Sequence, residues 1–150
     1  MTVLTVEQLA EAHHVMALYA SEADGPVVDQ AAEIAARSSA RLTIAVPVLG
    51  PSTLLYLSPF AIDPVAEDVE REAECNARLA LRRVPRQISA TAVFIRRGKG
   101  ADAIDGGTLP VDLVLYRLGS KGRRRRPISS LIRAARRGGI SVLAVAGGVN

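Results

Sequence analysis

Five short apolar runs, Val15–Ala20, Leu42–Val46, Ala90–Ile95, Val111–Leu118 and Ile140–Ala146, punctuate a chain whose other segments are helical in spacing. None of the five alternates cleanly between apolar and polar residues, which is the pattern of strands covered on both faces. Between the first two, Ser21–Pro26 reads as a turn with Asp24 near the cap position. Val27, Val28, Ala31, Ala32, Ile34 and Ala35 then supply one broad helical face. A longer helix starts at Asp63–Pro64. Its stripe is Val65, Val69, Ala73, Ala77 or Ala80, and Val84, with Glu67, Glu70, Glu72 and Glu74 outside it. Only a short helical piece, Ala101–Asp105, fits before the fourth run. Ahead of the fifth, Ser129 or Ser130 can cap a helix carrying Leu131, Ile132, Ala134 and Ala135, and Gly138–Gly139 stops it. The order β-α-β-α-β-(short α)-β-α-β predicts a single-domain α/β fold, a parallel five-stranded sheet with helices on both faces. Residues 14–150 form that domain. Residues 1–13 form an N-terminal extension with a short helix at Val6–Ala12.

Composition narrows this picture. The chain is 49% hydrophobic but only 3% aromatic, without Trp, so the core is aliphatic. A single cysteine, Cys75, excludes an internal disulfide and fits a reducing compartment. It is expected at the edge of the core, on a helix. Leu42–Ile62 is uncharged and long, but Pro47, Gly50–Pro51 and Ser58–Pro59 break it too often for a membrane helix. A strand followed by an apolar loop is expected there, in a soluble, cytoplasmic protein.

Charge changes the picture more. From Leu113 onward there is no Asp or Glu, and Arg117, Lys121, Arg123–Arg126, Arg133, Arg136 and Arg137 are all basic. Met1–Asp112 holds the other ten basic side chains against all fifteen acidic ones, a net −5. An acidic body therefore carries a basic end. The glycine loop Gly119-Ser120-Lys121-Gly122 and a helix N-terminus converge with the arginines on one patch, and all three favour anions. Lys121 and Arg123, Arg124, Arg125 and Arg126 are the candidate anion-binding residues. No stacking aromatics accompany them, which makes nucleic acid an unlikely partner.

Catalytic and metal chemistry find little to work with. His13 and His14 are adjacent, no Cys or carboxylate cluster joins them, and both are expected in solvent, so no metal site is expected. No acid–base pair or activated nucleophile is specified. Arg96-Arg97-Gly98-Lys99-Gly100 lacks the spacing of a P-loop.

Val111-Asp112-Leu113-Val114-Leu115, the loop Gly119-Ser120-Lys121-Gly122, the serine-bearing helix start and Ile140-Ser141-Val142-Leu143-Ala144-Val145 together resemble the universal stress protein (UspA-like) domain. The resemblance spans about Val15 to Gly148. It implies a Rossmann-like, adenine nucleotide alpha hydrolase-like fold, usually dimeric, in which members with the full motif bind ATP. It implies a nucleotide site at Asp24, Val46, Gly119, Ser120, Gly122, Ser129 and Ser130. Of these, the loop and helix start hold phosphates and ribose, Asp24 lies near the ribose and adenine, and backbone at Val46 or Pro47 reads the adenine.

The motif is altered in three places. Six residues, Arg123–Ile128, separate Gly122 from Ser129–Ser130, where the family has about nine, and Ser129 stands where the family has Gly. Asp24 fits the ribose position only if four residues are inserted after the first strand, and it fits a plain helix cap as well. Pro47 has no N–H to donate.

The expected protein is thus a non-enzymatic universal stress protein-like homodimer in stress response or regulation. Its phosphate side is better kept than its adenine side, so ATP binds weakly or not at all. Ile140, Val142, Leu143, Ala144 and Val145, on the last strand, are the expected dimer interface, since pairing would cover a sheet edge. The alternative is a dimeric adaptor whose basic end takes a polyanion or an acidic protein.

Overall fold

In a computed structural model of the chain, residues 12–48, 62–95, 111–118 and 125–146 are described, without the side chains of 62–69 and 125–130. The strands are β1 (His14–Leu18), β2 (Arg41–Pro47), β3 (Ala90–Ile95), β4 (Leu113–Arg117) and β5 (Ser141–Val145). The helices are α1 (Gly25–Ser38), α2 (Ile62–Arg82) and α3 (Arg125–Arg137), with a 3₁₀ turn at Glu22–Asp24 before α1. All strand pairs are parallel, in the order β3-β2-β1-β4-β5. The expected fold class is thus the one found. The helices expected at Val6–Ala12 and Ala101–Asp105 lie outside the described residues.

Side-chain parity divides the core in two. Val15, Ala17 and Tyr19 of β1 and its extension face Val27, Val28 and Ala31 of α1, while Leu42, Ile44 and Val46 join Ala73, Ala77 and Ala80 of α2 in the same cluster. Met16, Leu18 and Ala20 point the other way, with Val114 of β4 and Leu131, Ile132 and Ala135 of α3. Helices therefore cover both faces. Right-handed crossovers require this: the chain winds outward from β1 through β2 to β3, then returns and winds the opposite way through β4 to β5.

Four expectations are corrected. α3 begins at Arg125, so Ser129 and Ser130 lie inside the helix and do not cap it. Pro127 permits this, because it falls in the first turn, where N–H groups have no helical partner. His14 is buried, with Nε2 2.5 Å from Thr43 Oγ1, whereas His13 is exposed as expected. Asp112 Oδ2 accepts both their backbone N–H groups, at 2.7 and 3.0 Å, which draws His14 into the sheet. Cys75 is exposed on α2, not at the core edge. Both Ala77 and Ala80 are buried, so α2 uses a wider stripe than one of them alone.

The helix ends obey local rules. After α3, Gly139 takes φ +73°, its N–H reaches Arg136 O at 3.1 Å, and Ile140 N–H reaches Ala135 O at 2.9 Å. That is a Schellman motif built on a left-handed residue. α1 ends in the same way, with Ala40 N–H on Ala35 O at 2.9 Å, but its left-handed residue is Ser39, at φ 54°.

Candidate functional site

The strand order reverses between β1 and β4, and ligands of open parallel sheets sit beyond the carboxyl ends of the strands at such a point. Two charged side chains meet there. Asp24, from the turn after β1, places Oδ1 2.7 Å from Nε of Arg117, the last residue of β4. Its other oxygen accepts the backbone N–H groups of Ala20 at 2.7 Å and Ser21 at 3.3 Å. Asp24 stands at the N-cap position of α1 but makes no side-chain bond to the helix. Its carboxylate is turned back to hold the loop that leaves β1. Of the two sequence alternatives for Asp24, cap or ligand contact, the first is met in position but not in bonding.

A second charged pair flanks the first. Arg83, just after α2, forks onto Asp29 of α1, with Nε–Oδ1 at 3.1 Å and Nη2–Oδ2 at 2.6 Å. Its guanidinium lies over Gly25, where an added Cβ would meet Arg83 Cζ at 2.6 Å. The absent side chain of Gly25 thus makes room for the arginine. Hydrogen bonding to Asp29 raises the Arg83 pKa further above its ordinary value, against a smaller opposing effect of burial. Below these pairs Tyr19 is buried, which pushes its phenol pKa up, and Glu22 adds to the shift. Asn76 of α2 donates to Ala20 O at 3.3 Å, tying that helix to the same loop.

The adenine side of the expected site has few donors. Val46 is fully buried at the end of β2, Pro47 has no N–H, and Val48 N–H is bonded to Ile95 O at 2.8 Å. Gly119, Ser120, Lys121, Gly122, Arg123 and Arg124 lie outside the described residues. Arg125, Arg126, Ser129 and Ser130 follow in the first turns of α3. On β5, Ile140, Val142, Leu143 and Val145 are half-buried and Ala144 is exposed, along a strand that is an edge of the sheet. Among the described residues no group of His, Cys, Asp and Glu could hold a metal ion, and no helix is long and apolar enough to cross a membrane.

Sequence reasoning named Asp24 and missed Arg117, Arg83, Asp29 and Asn76. Two of these carried a sign. Arg117 is a lone charge at the end of an apolar run, beside the glycine loop. Asn76 falls on the buried stripe between Ala73 and Ala80.

The architecture is a class in itself: an open parallel α/β sheet of order 3-2-1-4-5, with charged groups gathered at its switch point. Solved universal stress proteins share this fold. The universal stress protein UspA from Lactobacillus plantarum is 14% identical, and the match covers 89% of this chain and 97% of that one at a TM-score of 0.55. A universal stress protein family member from Burkholderia pseudomallei is 19% identical, with 91% and 96% covered at 0.50. A universal stress protein in complex with cAMP is 24% identical, with 91% and 98% covered, but superposes less well, at 0.48. No protein-family model and no curated protein sequence matches the chain. The chain therefore has a universal-stress-protein-like fold.

Proposed function

We propose that this protein is a non-enzymatic, homodimeric universal stress protein-like domain of the cytoplasm. It binds the phosphates of a nucleotide or a similar multivalent anion and reads adenine weakly or not at all. The observation that carries this reading is the switch point. The sheet order sets the end of β1 beside the end of β4, and the chain leaves β4 into the glycine loop and the arginine run that opens α3. An anion there would meet a concentrated positive charge, while the rest of the chain, at −5, repels it. Weak adenine reading is supported by Pro47, which has no N–H, and by Val48, whose N–H is already bonded to Ile95 O. Dimerisation through β5 is supported by its place at the sheet edge and by its half-covered Val142, Leu143 and Val145.

Titration calorimetry tests the ligand. ATP, GTP and pyrophosphate should bind with similar, weak affinity; submicromolar, adenine-selective binding would overturn the reading of the adenine side. Light scattering tests the assembly, with a dimer expected for the wild type and a monomer for Val142→Lys.

A further inference from the structure

The Asp24–Arg117 pair does more than join two loops. The Asp24 side chain is only 4% exposed and three donors occupy it: two backbone N–H groups on Oδ2 and the Arg117 guanidinium on Oδ1. The two N–H groups belong to the loop leaving β1 and would stay in any folded state. The third comes from across the switch point, from a side chain at the end of β4 that is 26% exposed. It is therefore the contact through which the carboxylate could be opened to a ligand.

Strand ends at a switch point are where ligands of open parallel sheets bind, and a carboxylate there, once its Oδ1 is released, is an acceptor for ligand hydroxyls such as the vicinal pair of a sugar. With Arg117 in place, such a ligand has to displace a charge-assisted hydrogen bond, about twice as strong as a neutral one. A phosphate group needs nothing from Asp24 and is not penalised.

We infer that Arg117 is a specificity-determining residue that closes the crevice to vicinal hydroxyls by occupying Asp24. The site accordingly selects ligands by phosphate and ignores their sugar. This deepens the function proposed above, because it concerns the same crevice, but it does not depend on how tightly phosphate binds.

The experiment compares ATP with 2′,3′-dideoxy-ATP, which differ only in the vicinal hydroxyls, by calorimetry on the full chain. The wild type should bind the two equally. Arg117→Gln removes the charge from Asp24 and should bind ATP at least about tenfold more tightly than the dideoxy analogue. Asp24→Asn added to that variant should bring the ratio back toward one. A variant that folds, by circular dichroism, and still treats the two nucleotides alike overturns the inference. So does a wild type that already prefers ATP. Should Arg117→Gln not fold, Arg117→Met keeps an apolar stem of similar reach but has no donor for Asp24, and the same ratio of about tenfold is then required. A parallel titration with tripolyphosphate keeps the two readings apart. Loss of wild-type tripolyphosphate binding would overturn the phosphate reading alone, and the ratio in the Arg117 variants would still decide the role of Arg117.

Discussion

Two βαβ units meet at the centre of the sheet, β1–α1–β2 and β4–α3–β5, and they are built alike but charged oppositely. Each runs from a buried strand through a loop into a helix on one face, and each helix ends in a left-handed residue. The turn before α1 carries Glu22 and Asp24, and the sequence leading into and opening α3 carries Lys121 and Arg123–Arg126. The first unit is sealed on both sides, with Val15, Ala17, Ile44 and Val46 wholly buried. The second ends at a sheet edge, where β5 is only half covered. The difference shows how a repeated local architecture takes on direction. The units share a plan, and a charged contact, from Asp24 before α1 to Arg117 at the end of β4, joins one to the other.

The largest expected effect comes from breaking the contact between the units. Asp24→Ala removes the carboxylate that Arg117 contacts and leaves two backbone N–H groups without their acceptor. Removal of one member of a buried pair costs ~3–5 kcal/mol, and the partial exposure of Arg117 puts this case near ~3. Urea denaturation measures it.

A smaller effect contrasts the two helix ends. At Gly139 an added Cβ meets nothing within 4 Å, so Gly139→Ala isolates the backbone cost of a left-handed residue, ~1–2 kcal/mol. Ser39 already bears that cost, and Ser39→Gly should gain ~0.5–1 kcal/mol, less than the full amount because glycine also frees the unfolded chain. Thermal melts of the two variants should therefore move in opposite directions.

The smallest change in stability is expected where the charge is greatest. Replacement of Arg123–Arg126 by Gln should shift stability by no more than ~0.5 kcal/mol, as surface changes usually do. It should nonetheless abolish retention on heparin and flatten its dependence on salt, since exposed charges are screened over ~8 Å at physiological ionic strength. Elution of the variant with the wild type would show that the second unit's charge has no partner.

The comparison also marks what could be read from the chain in advance. Apolar runs without alternation gave five parallel strands, with Ala90–Ile95 placed to the residue, and Gly138–Gly139 marked the end of α3. Period and stop residues are local, and local patterns survive folding. Asp24 and Arg117 are separated by 93 positions, and neither shows its partner until the sheet order is known. His14 went astray for the same reason, because its burial depends on Thr43 of β2 and on Asp112, just before β4. The start of α3 failed differently. Ser129 and Ser130 have the chemistry of caps, but Pro127 is tolerated in the first turn of a helix, which therefore begins at Arg125.

The central place of β1 has a consequence for how the chain assembles. β1 pairs with β2 after a short excursion, His14 beside Arg41, but with β4 only across 98 positions, Val15 beside Leu113. Loop closure grows by ~0.6 kcal/mol for each doubling of length, so β1–α1–β2 is entropically the easier unit to form first. The β4 side of β1, with its unpaired backbone, then waits for a distant segment and is open to the wrong neighbour in the meantime. Asp24 beside β1 and Arg117 at the end of β4 carry opposite charges, and attraction between such charges favours the correct encounter. A contact that joins the finished sheet at its switch point thus also favours the pairing that is entropically the costlier to make.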